Sequence, residues 1–431
     1  MTLRYVHQFV SGTALALAAA ALLASTSVAS AQQTEVRWLH LEANPLNLAV
    51  WEELAAQYEA ENPNVDIQMQ FLENEAFKAK LPTLLQSNDR PHLFYTWGGG
   101  VLKAQSETGV LRDLTADLDA DGGAWRNSVN PAATGGLTFD GKVWAAPSRM
   151  GTVAFFYNKE LFAEAGVDGE AIETWSDFTG AVQQLKDAGI TPIACGGGDK
   201  WPLHFYYSYL IMRNGGQEAM AAAKAGEPDA FKSDAFIKAG EQLQALGAME
   251  PCQPGWLGAR WPDTLGAFAD GNAAILLGFE ATERDQRNNA ADDVGLATEN
   301  IGRFPFPVVE GGAGLATDTF GGLNGWAITA DAPQEAVDFV RWFTGVDAER
   351  RLAADTGIIP TAIGAEDGIS TDLVKAAAAQ LAASTWHQNY LDQDLGPNLG
   401  RVVNDVTVEI MSGAMSPEEG AQMIQDTADL E

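Results

Sequence analysis

The sequence predicts an α/β protein that is divided into two lobes. Strand and helix patterns alternate over residues 35–100, and this order is typical of a mostly parallel sheet with helices on its faces. The chain has 431 residues, whereas a single core rarely grows beyond about 250–300 residues. A hydrophobic content of 46% with 19% charged residues is ordinary for a folded protein. We therefore expect two packed α/β units.

The first five elements alternate between strand and helix. Pro45 suits the first turn of a helix, in which apolar residues recur at helical spacing until Asn62. Polar loops at 40–44 and 97–100 follow two of the strands, and ligands bind outside the carboxyl ends of strands in such sheets. The predicted order is strand 35–39, helix from 45, strand 65–71, helix 77–85 and strand 92–95.

The same alternation resumes further along the chain. Thr174 or Ser176 is the expected cap of a helix at 175–188, and Asp331 is the expected cap of a helix at 332–343. No long linker separates the lobes, so we expect short crossing segments to join them. The other predicted strands span 153–157, 191–194, 273–277 and 325–329, and the other predicted helices span 236–246, 264–270, 371–382, 400–412 and 417–427.

The charge balance argues against a nucleic-acid partner, and the cysteine count argues against a Cys-rich scaffold. The chain has 26 Lys and Arg against 58 Asp and Glu, for a formal net charge of −32. Binding to a phosphate backbone needs Lys and Arg to replace counterions, so we expect no nucleic-acid partner. Two cysteines are too few for a Cys-rich scaffold or a four-Cys zinc site.

Residues 1–31 have the order of a secretory signal peptide. Arg4 and His7 precede an apolar run at 14–24, and Ala29-Ser30-Ala31 has the A-x-A cleavage pattern. The run is shorter than the ~20 residues that span a bilayer, and no Cys follows it for a lipoprotein anchor. We therefore expect a cleaved signal and a mature protein free in the periplasm. An uncleaved membrane anchor is the alternative.

Export places Cys195 and Cys252 in an oxidising compartment. A single disulfide that closes a long loop is allowed there. Two buried free thiols are the alternative, because sequence does not show whether the two residues lie close in space.

Three ordered blocks resemble one protein family. Residues 139–147 read FDGKVWAAP and are followed by FYNKELF at 156–162, residues 174–178 read TWSDF, and residues 320–328 read FGGLNGWAI. In this order they resemble the extracellular solute-binding proteins of carbohydrate ABC importers, the family that includes maltose-binding protein. The WGGG loop at 97–100 and KWP at 200–202 are most similar to members that bind xylobiose and related oligosaccharides.

This resemblance implies the type II periplasmic binding protein fold, in which a hinge joins two α/β lobes. A ligand sits in the cleft and closes the lobes by hinge motion. The implied role is a non-enzymatic, monomeric receptor that delivers a sugar to the membrane permease of the importer. The implied lobes are 32–150 with 308–356 and 151–307 with 357–431, with crossings near 149–152, 304–307 and 355–359.

One departure from the family pattern concerns the strand that ends near residue 278. Family members usually follow this strand with Gly-x-Trp, whereas this chain has Gly278-Phe279-Glu280. We expect Phe279 to replace the aromatic platform, or Glu280 to replace it with a hydrogen-bonding carboxylate.

A sugar ring needs aromatic platforms for its C–H faces and polar side chains for its hydroxyl rim. Twelve Trp is a high number for this length, and several follow predicted strands. Each candidate also has a structural alternative, such as core packing for the Trp residues, helix capping for Asn44 and an interlobe ion pair for Arg149. The candidate ligand-binding residues are His40, Glu42, Asn44, Trp97, Gly98, Arg149, Trp201, His204, Tyr207, Trp256, Trp261, Phe279, Glu280, Gly322, Trp326, Asp392 and Asn398.

The motifs argue against catalysis and metal binding. The chain contains neither the G-x-S-x-G pattern nor the H-E-x-x-H pattern. Residues 117–122 begin like a calcium loop, but Ser128 stands where the bidentate Glu belongs. We therefore expect no metal, no cofactor and no enzymatic activity. The alternatives are a periplasmic glycan-active enzyme and a receptor for a non-sugar solute or an anionic sugar.

Overall fold

The computed structural model describes residues 33–430. The predicted signal peptide at 1–31 lies outside the described residues. The strands are β1 Thr34–His40, β2 Val65–Phe71, β3 Leu93–Thr96, β4 Thr138–Phe139, β5 Lys142–Val143, β6 Ala146–Met150, β7 Val153–Asn158, β8 Ile275–Phe279, β9 Ile301–Phe304, β10 Thr319–Gly321, β11 Leu323–Ile328, β12 Ile359–Pro360 and β13 His387–Asn389.

Helices cover both main sheets and supply most of the chain's regular structure. They are α1 Pro45–Glu61, α2 Asn74–Leu85, α3 Gly99–Glu107, α4 Thr115–Asn127, α5 Pro131–Gly136, α6 Lys159–Ala165, α7 Trp175–Asp187, α8 Trp201–Lys224, α9 Asp234–Ala248, α10 Trp261–Ala269, α11 Thr282–Asp285, α12 Gln334–Phe343, α13 Val346–Thr356, α14 Asp372–Ala382, α15 Leu391–Asp394, α16 Pro397–Met411 and α17 Pro417–Ala428.

Local capping explains where several helices begin. Asn44 precedes α1 and accepts hydrogen bonds from the N–H groups of Leu46 and Asn47, while Pro45 occupies the first turn as predicted. Thr174 caps α7 in a reciprocal box with Asp177. The prediction of Asp331 as a cap was wrong, because α12 begins at Gln334 and Pro333 occupies the cap position.

The first sheet has six strands in the order β12-β6-β11-β3-β1-β2. β1 pairs in parallel with β2 and β3, whereas the β11–β3, β11–β6 and β12–β6 pairs are antiparallel. The expectation of a mostly parallel sheet was therefore wrong for this half. The antiparallel strands arise because β6, β11 and β12 do not follow a neighbouring strand through a covering helix, as parallel strands do.

The second sheet has three antiparallel strands in the order β8-β7-β9. β7 is buried along its whole length, and Phe155 stacks on Phe178 of α7 at 4.5 Å between ring centroids. The predicted strand at 191–194 forms only isolated bridges, from Ile193 to Cys252 and Ile275. Pro192 has no N–H to donate to a ladder, which limits pairing there.

The chain passes between the two sheets at three places, and hydrogen bonds locate them. Residues 151–152 join β6 to β7. After the second predicted passage at 304–307, the Val308 N–H donates to Glu173 O at 3.0 Å and the Gly314 N–H donates to Arg213 O at 3.0 Å. These bonds join Val308 to the residue before the α7 cap and Gly314 to α8. β12 pairs with β6, although the sequence assigned 357–431 to the second lobe. The exact lobe boundaries stay a prediction.

Cys195 and Cys252 form a disulfide, with their Cα atoms 5.6 Å apart. The bond decides between the two alternatives that the sequence left open. It ties the loop before α8 to the segment before α10, which are separated by 57 residues in sequence. Of residues 33–430, no helix has the length and apolar character needed to cross a membrane.

Candidate functional site

A cavity of about 360 Å³ lies between the two sheets. Its first side comes from the loop after β1, the start of α2 and the end of β3, and its second side comes from the starts of α8 and α10 and the segment after β8. This volume is within the range of small-molecule sites, which is about 300–1,000 Å³. The cavity is therefore large enough to enclose a small solute between the two halves.

The second half contributes an aromatic wall. Trp201 and Phe279 are nearly parallel, with 25° between their planes and 5.8 Å between centroids. Trp261 packs against Trp201 at 5.1 Å, and Phe205 stacks on Tyr390 at 5.8 Å. All five rings line the cavity. Because the rings support one another, the wall presents a rigid apolar surface to a ligand.

The first half contributes Trp97 and Tyr95, which lie edge to face at 5.4 Å. Trp97 follows β3 directly and is 8% exposed. Its backbone carbonyl accepts a hydrogen bond from Asn389 Nδ2 at 3.0 Å, and Lys78 Nζ lies 5.6 Å from its ring centroid. Trp97 is therefore held at the cavity by a contact from β13 to its backbone and a contact from α2 to its ring.

Three polar side chains on adjacent strands line the cavity between these aromatic groups. Tyr95 lies on β3, Asn324 on β11 and Arg149 on β6. Arg149 Nη2 donates to the Tyr95 hydroxyl at 3.1 Å. We call these three residues the polar floor. Donors and acceptors therefore sit next to the aromatic surfaces.

The buried carboxylate of Glu280 and the half-buried carboxylate of Asp285 line the same cavity as the polar floor. Glu280 Oε2 accepts from the Thr152 N–H at 3.1 Å, and burial raises the pKa of Glu280. Burial, with a smaller contribution from the nearby Glu42 carboxylate, raises the pKa of Asp285 to about 7. Such shifts follow from the cost of holding negative charge away from water.

Two polar contacts join the two sides of the cavity. Asn44 Nδ2 donates to Asp285 Oδ1 at 3.0 Å. Arg260 Nη2 lies 2.7 Å from Glu73 Oε1, and its Nε lies 3.1 Å from Asp199 Oδ1. The side chains of Arg260 and Glu73 are 50% and 39% exposed, so water screens this ion pair more than it screens the Asn44–Asp285 contact.

A buried pair lies at the edge of the aromatic wall. His204 Nε2 is 3.4 Å from Asp392 Oδ1, and the two side chains are 1% and 4% exposed. Burial lowers the pKa of His204, which favours a neutral imidazole at pH 7. Its Nδ1 lies 2.5 Å from the Trp201 carbonyl oxygen, so the pair orients the first turn of α8.

The structure brings ten of the predicted site residues to the cavity. Most of them lie in a loop or near a helix start, whereas Arg149 lies on β6 and Phe279 ends β8. They are Glu42, Asn44, Trp97, Arg149, Trp201, His204, Trp261, Phe279, Glu280 and Asp392.

Four predicted residues belong instead to the core or the surface. Trp326 is 1% exposed on a central strand, with its ring 5.2 Å from that of Trp38. His40 is 2% exposed, and burial lowers its pKa to about 4. Tyr207 is fully buried and donates to the Phe236 carbonyl on α9 at 3.3 Å. Asn398 is exposed at the start of α16.

Three further predicted residues position neighbours without lining the cavity. The Trp256 carbonyl accepts from the Gly197 N–H at 2.8 Å. Gly98 has φ of 67° and precedes α3, a conformation that suits glycine. A Cβ at Gly322 would collide with the Tyr390 ring, so this glycine lets Tyr390 reach the aromatic wall.

Sequence reasoning missed several cavity residues. Tyr95 and Asn324 lie on strands, and the sequence pattern assigned no ligand role to either, although Asn324 lies within the FGGLNGWAI block. Asp285 and Asn289 lie several residues after the end of β8, so the pattern of a polar loop directly after a strand did not indicate them. The missed residues that carry charged, polar or aromatic groups include Glu73, Lys78, Tyr95, Asp199, Phe205, Arg260, Asp285, Asn288, Asn289, Asn324, Tyr390 and Gln393.

Metal binding finds no support in the described part of the chain. Within residues 33–430, no three or more His, Cys, Asp or Glu side chains are grouped so as to hold a metal ion. The side chains that line the cavity offer hydrogen-bonding groups and aromatic rings.

Two α/β halves around a cavity have the two-lobed fold of solute-binding proteins of the maltose-binding type. The family model described as "Bacterial extracellular solute-binding protein" matches residues 43–350. The chain belongs to this family, whose members act outside the cytoplasm.

Similar proteins extend over most of the chain. The multiple sugar-binding protein of Streptococcus mutans is 24% identical over 313 residues, which cover 70% of each chain. A solved structure on xylan utilization by the thermophilic bacterium Caldanaerobius polysaccharolyticus aligns with a TM-score of 0.82 and 24% identity, covering 91% of this chain and 99% of that one. A chitin oligosaccharide binding protein aligns with a TM-score of 0.81 and 23% identity, covering 93% and 99%. At these identities the structural matches establish the fold alone.

Proposed function

We propose that this protein is the substrate-binding component of a carbohydrate ABC importer. It captures a di- or oligosaccharide such as xylobiose in the cavity and delivers it unchanged to the membrane permease. The observation that carries this proposal is the aromatic wall of Trp201, Phe279 and Trp261 opposite Trp97, with the polar floor beside it. Aromatic faces match the C–H faces of a sugar, and the polar groups match its hydroxyls.

The named relatives support a sugar rather than another solute. They include a multiple sugar-binding protein, a structure concerned with xylan utilization and a chitin oligosaccharide binding protein. These names differ in the sugar, so the choice of xylobiose rests on the WGGG and KWP segments of the sequence.

The charge of the cavity disfavours the anionic-sugar alternative. Three cationic side chains line it, Lys78, Arg149 and Arg260. Six acidic side chains line it as well, so an anionic ligand would meet net repulsion. The acidic residues are Glu42, Glu73, Asp199, Glu280, Asp285 and Asp392.

A panel of saccharides tests the proposal. Thermal shift is measured with xylobiose, xylotriose, cellobiose, maltose, N,N′-diacetylchitobiose and raffinose, followed by calorimetry on each hit. A bound ligand raises the melting temperature by mass action, and we expect a dissociation constant near or below ~1 µM for one of them. Each hit is also incubated with the protein and analysed for cleavage. Binding without products supports the receptor, whereas cleavage products establish the glycan-active enzyme.

The proposed receptor works as a monomer in the periplasm after removal of residues 1–31. Amino-terminal sequencing of the exported protein should begin at Gln32. Size-exclusion chromatography should give the mass of one chain. An intact amino terminus or a membrane-bound fraction would contradict the cleaved signal.

A further inference from the structure

Asn324 is a buried amide at the cavity with an unused hydrogen-bonding atom. The residue is 2% exposed and lines the cavity. Its Oδ1 is buried and has no hydrogen-bond partner within residues 33–430. A buried carbonyl oxygen without a partner costs free energy, so a ligand that donates a hydrogen bond to it gains that free energy on binding.

The local backbone accounts for the position of Asn324. Asn324 pairs with Arg149 across β11 and β6, and the register shifts between Asn324 and Gly325. Shifts of this kind re-aim a side chain and recur next to binding sites. Two residues further on, Trp326 packs into the core against Trp38. The shift thus separates a cavity position from a core position on the same strand.

Arg149 complements the Asn324 acceptor with unused donors. A guanidinium carries five N–H donors. Within the described chain, the side chain of Arg149 makes one hydrogen bond, from Nη2 to the Tyr95 hydroxyl at 3.1 Å. Arg149 and Tyr95 both line the cavity. The remaining donors of Arg149 therefore lie on the strand that neighbours the Asn324 acceptor.

We propose that Tyr95, Arg149 and Asn324 recognise two neighbouring hydroxyl groups of one sugar ring. One hydroxyl donates to Asn324 Oδ1, and the adjacent hydroxyl accepts from Arg149. This inference rests on the proposed function and deepens it. The ligand class is a neutral saccharide whose ring at the polar floor has two free vicinal hydroxyls.

The surrounding charges favour hydroxyls over an acidic group on Arg149. Glu280 and Glu42 lie close enough to stabilise the guanidinium cation. A carboxylate or phosphate on the ligand would face these two carboxylates, whereas a hydroxyl would not. The floor therefore uses Arg149 as a hydrogen-bond donor whose charge is already balanced.

Calorimetry on purified mature protein tests the inference. The titrants are xylobiose, cellobiose, maltose and N,N′-diacetylchitobiose, and the tightest binder of the wild-type protein is carried forward. Asn324→Ala should weaken its binding by about three- to tenfold. Asn272→Ala, an exposed asparagine outside the cavity, is the matched control and should leave affinity unchanged. Tyr95→Phe, which leaves β11 intact, is the second variant and should also weaken binding.

Monodeoxy analogues of the tightest binder distinguish recognition from a structural role. The wild-type protein should bind two analogues, deoxygenated at neighbouring positions, more weakly than the parent sugar. For one of these two, Asn324→Ala should cause no further loss, because the hydroxyl and its acceptor form one interaction. If Asn324→Ala caused the same additional loss of affinity for every analogue, the proposed recognition by the polar floor would be wrong.

Each result bears on a separate claim. If none of the four sugars binds the wild-type protein, the proposed function and the floor fall together. If a sugar binds and Trp201→Ala weakens it, while Asn324→Ala and Tyr95→Phe bind it as the wild type does, the floor alone is wrong. If Asn324→Ala lowers the melting temperature and fails to fold, the Tyr95→Phe result with the analogue series decides.

Discussion

Asn44 Nδ2 donates a hydrogen bond to Asp285 Oδ1 across the cavity, at 3.0 Å. Asn44 follows β1 of the six-stranded sheet, and Asp285 lies at the end of α11, after β8 of the three-stranded sheet. The oxygen of the same Asn44 side chain caps α1. One amide therefore begins a helix with its oxygen and joins the two halves with its nitrogen.

Asn44→Ser should weaken ligand binding without unfolding the protein. Serine keeps an N-cap acceptor for α1 but has no amide nitrogen to reach Asp285. The loss of one hydrogen bond in the closed form is worth about 0.5–1.5 kcal/mol, and we expect it as a faster dissociation rate. Stopped-flow release of the sugar identified by the panel measures that rate.

Helix stability supplies the control for this variant. Circular dichroism melts of ligand-free Asn44→Ser should match the wild type. An unchanged dissociation rate with an unchanged melt would mean that the Asn44–Asp285 contact does not hold the closed form.

Ligand affinity should fall as pH rises towards 7. Burial and then Glu42 raise the pKa of Asp285 from 3.8 to about 7, against the opposing effects of Asn44 and Arg149. If the open form exposes Asp285, closure takes up a proton between these two values. Affinity is then highest at low pH and falls by up to about tenfold per pH unit, levelling off above pH 7.

Calorimetry from pH 5 to pH 8.5 checks this dependence. Asp285→Asn keeps an oxygen that accepts from Asn44 and removes the titrating carboxyl. Its affinity should depend less on pH, with a remainder from Glu280, whose pKa burial also raises. Parallel curves for the two proteins would rule out Asp285 as the source.

Trp201→Ala should weaken sugar binding by about 1.5–3 kcal/mol, the scale for a buried aromatic side chain. Trp201 lines the cavity and stacks near Phe279. Trp256→Ala is the matched control, because Trp256 packs beside Gly197 outside the cavity. Calorimetry on both folded variants should show a loss for Trp201→Ala only. Equal losses would place the ligand elsewhere.

Replacing both cysteines by serine should destabilise the protein. The Cys195–Cys252 disulfide spans 57 residues, and the chain-entropy model assigns a loop of that length about 4 kcal/mol. Urea unfolding followed by tryptophan fluorescence compares the double variant with oxidised and reduced wild type. Reduced wild type should match the variant. Identical midpoints for all three proteins would show that the disulfide does not stabilise the fold.

Much of the fold was readable from local patterns. The helix that begins at Pro45, the α7 cap at Thr174 and the β7 strand all follow from short-range spacing and capping chemistry. The motif blocks also led to the family, which the match over residues 43–350 establishes. Local patterns left the strand order of the six-stranded sheet undetermined, because β6, β11 and β12 join it from distant parts of the chain.

The sequence likewise indicated part of the candidate site and misplaced another part. Trp97 follows β3, Trp201 begins α8 and Phe279 ends β8, so their sequence positions indicated the cavity. Trp326 and His40 also carry side chains that can contact a sugar, and yet they lie in the core.

By itself, the sequence determined the α/β class, the starts of helices such as α1 and α7, the acidic charge and several aromatic residues of the site. Only the tertiary structure decided which aromatic and polar groups line the cavity, that Cys195 pairs with Cys252, and that Asn44 meets Asp285. The physical reason is range: spacing and capping act within a few residues, whereas these contacts join segments that only the packing of two separate sheets brings together.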